Sequence, residues 1–447
     1  MRKLIAMTHS FAFRKAFTCF AFAVAGAAFF WAALPARADL DIVEVTSPKG
    51  IKAWLVEDQA DPMVSISFAF SGGSLQDPKG KEGLSHLMAS MLIEGAGDLD
   101  ADAFQQRLYE TGAQLSFGAG TEEFSGSIGM LADDTEKPLE LLSLALSSPR
   151  FDEKSLERVR SVAVSGIEQT SKDPDRRGGE ALSAALYGDH PLGRHATVET
   201  VNSIERGDLV DLHRRTLARS DLTIGVVGAI DPQTLGEVLD AVFGKLPAVD
   251  KVAEIPPPAV KYGGKVFERA AQPQSSIVMV FPGVSRKSED YYPASLAAYI
   301  LGGGMAGRLS QELREKSGLT YGAYAGLESN HGWGDLSAVA TTRAERAKES
   351  LQMARQVIGR FAEDGPTREE LERAKKYTIG SFAVDNLATT SSIAATLVGL
   401  QQDDLGMDYP DRMKELFGAV TLEEVKEISR RLLAVEPTVL IVGPDKG

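Results

Sequence analysis

Near its middle the chain reads "IERGDLVDLHRRTLARSDLTIGVVG", residues 204–228, and near its end "LEEVKEISRRLLAVEPTVLIVG", residues 422–443. Each stretch is a helix with an arginine pair, Arg214-Arg215 or Arg430-Arg431, then an apolar strand that stops on Gly228 or Gly443. The helical apolar positions match as well, Leu209 and Leu212 against Val425 and Ile428. With one residue of slack the stretches superimpose, which indicates internal duplication and restricts the fold to two copies of one plan. A chain of 447 residues also exceeds the roughly 250–300 residues at which a single core stops growing. Three consecutive prolines, Pro256 to Pro258, in "AVDKVAEIPPPAVKYGG" mark an extended linker near the midpoint. The expected division is residues 39–250, a linker at 251–261, and residues 262–447.

Both halves mix the two hydrophobic periods. Val64, Ile66, Phe68 and Phe70 alternate as a half-buried strand does. Leu235, Val238, Leu239, Val242 and Phe243 follow helical spacing, with Asp231 as N-cap, Pro232 in the first turn and Gly244 as the stop. Thr367 with Glu370 three residues on announces another helix through a capping box. The fold class is α+β, two domains of similar fold.

Residues 1–38 hold Arg2, Lys3, Arg14, Lys15 and Arg37 and no acid, in a chain whose formal charge is −14. The basic start, the apolar run "AFTCFAFAVAGAAFFWAALP" and the small-x-small sequence Ala36-Arg37-Ala38 read as a signal peptide with the mature chain starting at Asp39. A retained membrane anchor is the alternative, since the run approaches spanning length. Cys19, the single cysteine, lies inside this segment. The mature chain then has neither disulfides nor a cysteine metal site nor a thiol nucleophile, which suits export to a bacterial periplasm. The acidic balance argues against nucleic-acid binding and weakly favours basic partners.

In "EGLSHLMASMLIEGAG", residues 82–97, Leu84, Leu87, Met88, Met91 and Leu92 form one core face of a helix. His86, Ala89 and Ser90 are expected on the other side. The spacing is that of the zinc motif H-x-x-E-H with Ala89 in place of the acid and Ser90 in place of the second histidine. A catalytic zinc needs three protein ligands and an open position, and an alanine cannot take a proton from water.

The run "GLSHLMASMLIEGAG" resembles the inverted zinc motif of the M16 (pitrilysin, insulinase and mitochondrial processing peptidase) family. Further matching pieces are "GIKAWLVED", "LADDTEKPLELLSLALSSPRF", "DHPLGRH", "LGGGMAGRLSQELREKSGLTYGAYAGL" and "TREELERAKKYTIGSF", spread over the whole mature chain. The resemblance implies two homologous duplicated α/β domains of the M16 metallopeptidase (LuxS/MPP-like) type. It also implies a third zinc ligand, a glutamate, in "SVAVSGIEQTSKDPDRR", where Ser165 and Gly166 stand at the paired acids and Glu168 is displaced to another helix face. Arg314 and Tyr321 match the family's arginine and tyrosine from the C-terminal domain, which complete the active site. Gly318 is expected to end the helix carrying Arg314, with a strand after it, so that both side chains sit at one helix–strand junction. The alternative is an arginine capping a sheet and a tyrosine in a core.

Two motifs are set aside. "GGGMAG", 302–307, fits G-x-G-x-x-G but follows the helical "YPASLAAYIL" and reads as a hinge or close-approach loop. His190 and His195 have Pro191 and Gly193 between them, which break any helix that would aim both at one ion. The expectation is thus a periplasmic, catalytically incomplete subunit of a heterodimeric zinc peptidase. It carries no cofactor, has degenerate positions His86, Ala89, Ser90 and Gly166, and lends Arg314 and Tyr321 to a zinc-bearing partner that cleaves peptides or unfolded segments. The alternatives are a non-enzymatic structural or peptide-binding protein, or an active peptidase with a displaced site around His86, Glu82, Glu94 and Glu168.

Overall fold

The computed structural model describes residues 40–249 and 251–444; the expected signal segment, its cleavage site and Cys19 lie outside the described residues. The first half runs β1 (Ile42–Thr46), β2 (Lys52–Glu57), β3 (Met63–Ser71), α1 (Leu84–Met91), α2 (Ala101–Thr111), β4 (Gln114–Ala119) and β5 (Glu123–Leu131). It continues with α3 (Glu136–Ser147), α4 (Glu153–Thr170), α5 (Pro174–Tyr187), α6 (Val198–Asn202), α7 (Arg206–Thr216), β6 (Thr223–Gly228) and α8 (Pro232–Phe243). The second half runs β7 (Lys265–Arg269), β8 (Gln274–Pro282), α9 (Tyr291–Gly302), a π-helix (Ser310–Lys316), β9 (Thr320–Ser329) and β10 (Gly334–Arg343). After these come α10 (Ala347–Asp364), α11 (Arg368–Asn386), α12 (Thr390–Gln402), α13 (Tyr409–Ala419), α14 (Leu422–Leu433) and β11 (Thr438–Gly443).

The sheets have strand orders β1-β2-β6-β3-β5-β4 and β7-β11-β8-β10-β9. With β1 set aside, each strand of the first has its counterpart in the second. The single parallel pair falls in the same place in each, β2 with β6 and β7 with β11. This is the duplication read from the repeated endings, and the two domains are α+β as expected. The alternation in β3 puts Val64, Ile66, Phe68 and Phe70 into the core, and Asp231 and Thr367 cap α8 and α11 through their side chains.

The terminal strands β6 and β11 are buried along almost their whole length, so both faces of each sheet need a cover at that point. On one face it comes from helices of the same half. On the other it comes from the opposite half: α12 lies across β6 and β3, and α5 lies across β11 and β7. The approach is close enough to require glycine. A Cβ on Gly225 would sit 2.3 Å from the Ala394 carbonyl oxygen, and one on Gly178 would sit 2.7 Å from Val442 Cγ2. Leu182 and Leu186 of α5 pack with Val280, Leu440 and Val442, while Gln401 Nε2 of α12 donates to the Ile224 carbonyl at 2.9 Å.

The linker does not hang free between the halves. Gln76 brackets Ala253 through hydrogen bonds of 2.8 and 3.0 Å, and His190 Nε2 lies 3.0 Å from the Pro256 carbonyl oxygen. Tyr262 and Tyr187 both donate to the buried carboxylate of Asp335, Tyr262 at 2.8 Å. A second tie joins two hairpins and the end of α12. The His331 backbone N–H donates to Glu122 at 3.1 Å, and its Nδ1 lies 3.2 Å from the same carboxylate. Its Nε2 lies 3.6 Å from Asp403, which pairs with Arg286 Nε at 3.0 Å. The Glu122 contact raises the His331 pKa; burial pushes Glu122 upward, but His331 outweighs it and leaves that carboxyl below its usual range.

Two outcomes follow from these contacts. Exposing Leu182, Leu186, Leu440 and Val442 at ~1.5–3 kcal/mol each rivals the ~5–15 kcal/mol that hold a typical domain together. The two halves made separately should therefore fail to give cooperative unfolding transitions, whereas co-expressed halves should co-purify and melt together. A first half that folds alone with a sharp transition would contradict the exchange. For the second, a His pKa raised above its unfolded value of ~6.5 stabilises fully below that pH and loses its contribution as pH rises through the folded value. Glu122, with a lowered pKa, contributes above ~4.3 and loses its contribution on acidification. Glu123, Asp404, Lys287 and Arg286 surround the pair in both states. His331→Gln should thus cost more stability at about pH 5.5 than at about pH 8.5, by on the order of 1 kcal/mol or less because the side chain is over one-third exposed. Urea titrations at both pH values measure it, and an equal loss at both would remove the ion pair from the account.

Candidate functional site

Helix α1 starts where Asp77 caps it. The carboxylate accepts from the Gly83 and Ser85 backbone N–H groups, both at 2.9 Å, and from the Ser85 hydroxyl. Burial raises the Asp77 pKa against these hydrogen bonds. Leu84, Leu87, Met88 and Met91 enter the core as expected. Ala89 does too, at 5% exposure, which corrects its expected place beside His86 and Ser90. Three residues beyond His86 a side chain lies only about 60° around the helix from it, and Ala89 is buried because the covered stripe extends past the Leu and Met face over Ser85 and Ala89. Ser90 is exposed and donates to the His86 carbonyl at 3.1 Å.

His86 and Ser90 line a cavity of about 420 Å3 with residues drawn only from positions 74–201. Opposite them α4 presents Val159, Val162, Ala163 and Ile167. Gly166, on the same helix, faces open space, and Glu168 is exposed and outside the cavity lining. These donors do not fit a zinc ion. One imidazole, a hydroxyl already bonded within its own helix and a hydrocarbon wall cannot supply three protein ligands. Among the described residues no group of three or more His, Cys, Asp or Glu side chains is placed to hold a metal.

The displaced-site alternative does not assemble either. Glu82 lines the cavity but pairs with Arg194 at 3.2 Å. Glu94 is buried, pairs with Arg158 and does not line the cavity. Of the two histidines set aside in the sequence, His190 holds the linker, while His195 reaches the cavity wall with its Nε2 buried and unpartnered among the described residues. The sequence reading missed His195 and the stripe on α4. The stripe's i, i+3, i+4, i+8 spacing was visible, but any core-facing helix has it.

Arg314 and Tyr321 lie elsewhere and do not line this cavity. Arg314 is on the seven-residue π-helix, a wider turn than the expected α-helix and one found often at functional sites. Leu313 is buried while Arg314, Glu315 and Lys316 face solvent. Gly318, at φ 58°, ends the turn; its N–H donates to the Arg314 carbonyl at 3.1 Å, and Leu319 N–H reaches the Leu313 carbonyl at 2.8 Å. Tyr321 follows on β9, the edge strand, with 55% exposure, and its hydroxyl has no hydrogen bond to another described residue. Arg314 has only a 3.6 Å approach to its neighbour Glu315.

The junction is anchored from behind. Arg308, two residues before the π-helix, makes two 2.7 Å hydrogen bonds to Glu370 and lies over the Phe361 ring. Burial works to raise the Glu370 pKa, yet Arg308 and Thr367 bring it down to about 2. The preceding "GGGMAG" loop is a close-approach turn: a Cβ on Gly302 would lie 2.1 Å from the Ala325 backbone nitrogen.

Both halves are similar to known proteins. Residues 52–199 match the model of Insulinase (Peptidase family M16), and residues 203–378 match that of the Peptidase M16 inactive domain. A Helicobacter pylori protein named as the non-peptidase homolog YmxG is 25% identical, covering 76% of this chain and 79% of its own. A Bacillus subtilis protein named as the uncharacterized zinc protease YmxG is 24% identical, covering 90% and 98%. Among solved structures, the peptidase M16 inactive domain from Pseudomonas fluorescens superposes with a TM-score of 0.84 at 28% identity, covering 91% of this chain and 99% of that one.

Metal analysis of the purified chain after dialysis should find far less than one zinc per chain, and His86→Ala should leave that content unchanged. One tightly held zinc, with hydrolysis abolished by a chelator, would overturn this assignment of the donors.

Proposed function

Because the chain belongs to the M16 peptidase family, we propose that it is a catalytically incomplete subunit of a periplasmic two-chain zinc peptidase. Its partner is an M16 chain with an intact H-x-x-E-H motif, which holds the zinc, the base and the nucleophilic water. The observation that carries the reading is the contrast between the two candidate centres. The helix around His86 lacks the metal donors, whereas Arg314 and Tyr321 stand exposed on an anchored junction, Arg314 with only its 3.6 Å approach to Glu315. A phenol O–H and a guanidinium bind a carbonyl oxygen more strongly as it becomes an oxyanion, which is how such donors lower a barrier. The substrates are peptides or unfolded segments. Periplasmic placement rests on the basic start, apolar run and small-x-small sequence of residues 1–38. No described helix is long and apolar enough to cross a membrane.

A non-enzymatic, peptide-binding or structural role is the second reading, favoured by the relative named as a non-peptidase homolog. Reconstituted complexes of matched zinc content separate the two. Tyr321→Phe should lower kcat by about 10² to 10³ while leaving complex formation intact, and Arg314→Ala should also raise KM. Ser90→Ala should change little. Unchanged kcat and KM in the Arg314→Ala, Tyr321→Phe double variant would assign this chain a scaffold role.

A further inference from the structure

The cavity beside His86 has a chemistry of its own, distinct from the metal site whose place it takes. Its volume, about 420 Å3, lies in the range of small-ligand pockets, which run from about 300 to 1,000 Å3. One wall is hydrocarbon: Val159, Val162, Ala163 and Ile167 from α4, joined by Leu87 and Val201. Val162 is 67% exposed, an apolar side chain left facing the opening on a helix whose outer face is otherwise polar or charged. On the facing wall the His86 ring is exposed and has no hydrogen-bond partner among the described residues, so it is free to donate or accept. The charged groups at the rim are matched internally. Glu82 pairs with Arg194 and Arg176 with Glu180, while the Asp77 carboxylate is occupied in capping α1. A free ion would find no uncompensated charge here. The complementary ligand is neutral, with an apolar body and one hydrogen-bonding group at its edge.

We infer that this cavity takes one large apolar side chain, of leucine or phenylalanine size, from an extended peptide whose backbone amide hydrogen-bonds the His86 ring. The choice of a peptide over another neutral apolar molecule rests on the peptide-handling function proposed above. The change from metal donors to hydrocarbon is thus a change of use. A position at which zinc would have polarised a carbonyl instead holds a side chain, and the chain binds peptide through this cavity without its partner.

The test is equilibrium binding of fluorescently labelled, unstructured host peptides to the purified full-length chain, with one guest position set to Gly, Asp, Leu or Phe. Burial of a single large apolar side chain gives Leu and Phe guests about tenfold to hundredfold tighter binding than Gly. Val162→Asp and Ala163→Phe, one charging the wall and the other filling the space, should each remove that preference. Both positions are at least partly exposed, and an unchanged thermal transition verifies the fold of each variant. His86→Ala should weaken all guests together. The Arg314→Ala, Tyr321→Phe double variant should keep the full guest preference. Equal affinity for Leu and Gly guests, no binding of any guest, or a preference that survives both cavity variants would overturn the inference. So would a preference lost in the double variant alone, which would locate peptide binding at the junction and leave the subunit reading standing. Conversely, a junction double variant that hydrolyses normally in the complex would end the subunit reading without touching the cavity.

Discussion

The burial of β6 and β11 on both faces is the condition on which the rest of the molecule depends. A strand with every residue buried needs a cover on each side, and in each half the helices of that half cover only one. The remaining cover comes from the opposite half, α12 onto the first sheet and α5 onto the second. This exchange fixes how the two halves pack, because Gly225 meets the Ala394 backbone, Gly178 meets the Val442 and Leu440 side chains, and such close contacts tolerate little sliding. The linker, the Asp335 knot and the His331 tie then act on halves that are already interlocked.

The same rigidity explains why chemistry could be lost from one region without loss of the fold. Asp77 still caps α1, and α1 still packs with its Leu and Met face inward. The positions that would carry donors depart from the H-x-x-E-H pattern, and they depart in different directions. Ala89 has joined the core, Ser90 spends its hydroxyl on its own helix, and Gly166 offers no side chain to the opening. A glutamate placed at position 89 would enter a packed, dry environment where a carboxylate is costly, so restoring that one donor meets the core and not the open cavity beside His86.

Much of this was legible from sequence because it depends on local periodicity. The β3 alternation, the capping boxes and the repeated helix–strand endings each follow from neighbours a few residues apart. Ala89 was misplaced because a helical stripe is wider than its a and d positions, and an alanine at the boundary fits either side. The π-helix was invisible because no hydrophobic period distinguishes it from an α-turn. The helix exchange was hidden for a deeper reason: amphipathicity says that a face is buried and not against what. His331, Glu122 and Asp403 come from three separate loops, and nothing local ties them together. Locally His195 suggests only a shared metal with His190, and its place on the cavity wall depends on contacts with residues distant in sequence.

What remains on the chain constrains what it can do alone. Hydrogen-bond donors such as Arg314 and Tyr321 stabilise a charge that forms; they do not generate the nucleophile that forms it. At neutral pH water has a pKa of about 15.7, and an enzyme lowers that barrier with a metal ion or a placed base. Ala89 supplies no base, and the donors beside His86 cannot assemble a metal centre. In the proposed two-chain reading the exposed junction therefore acts on a nucleophile delivered from outside the chain. The peptide capture inferred above needs no such delivery, since an apolar wall and an unpartnered imidazole already stand beside each other at His86. In the proposed reading the two sites divide along that line: the first half holds a peptide, and the second acts on one only in company.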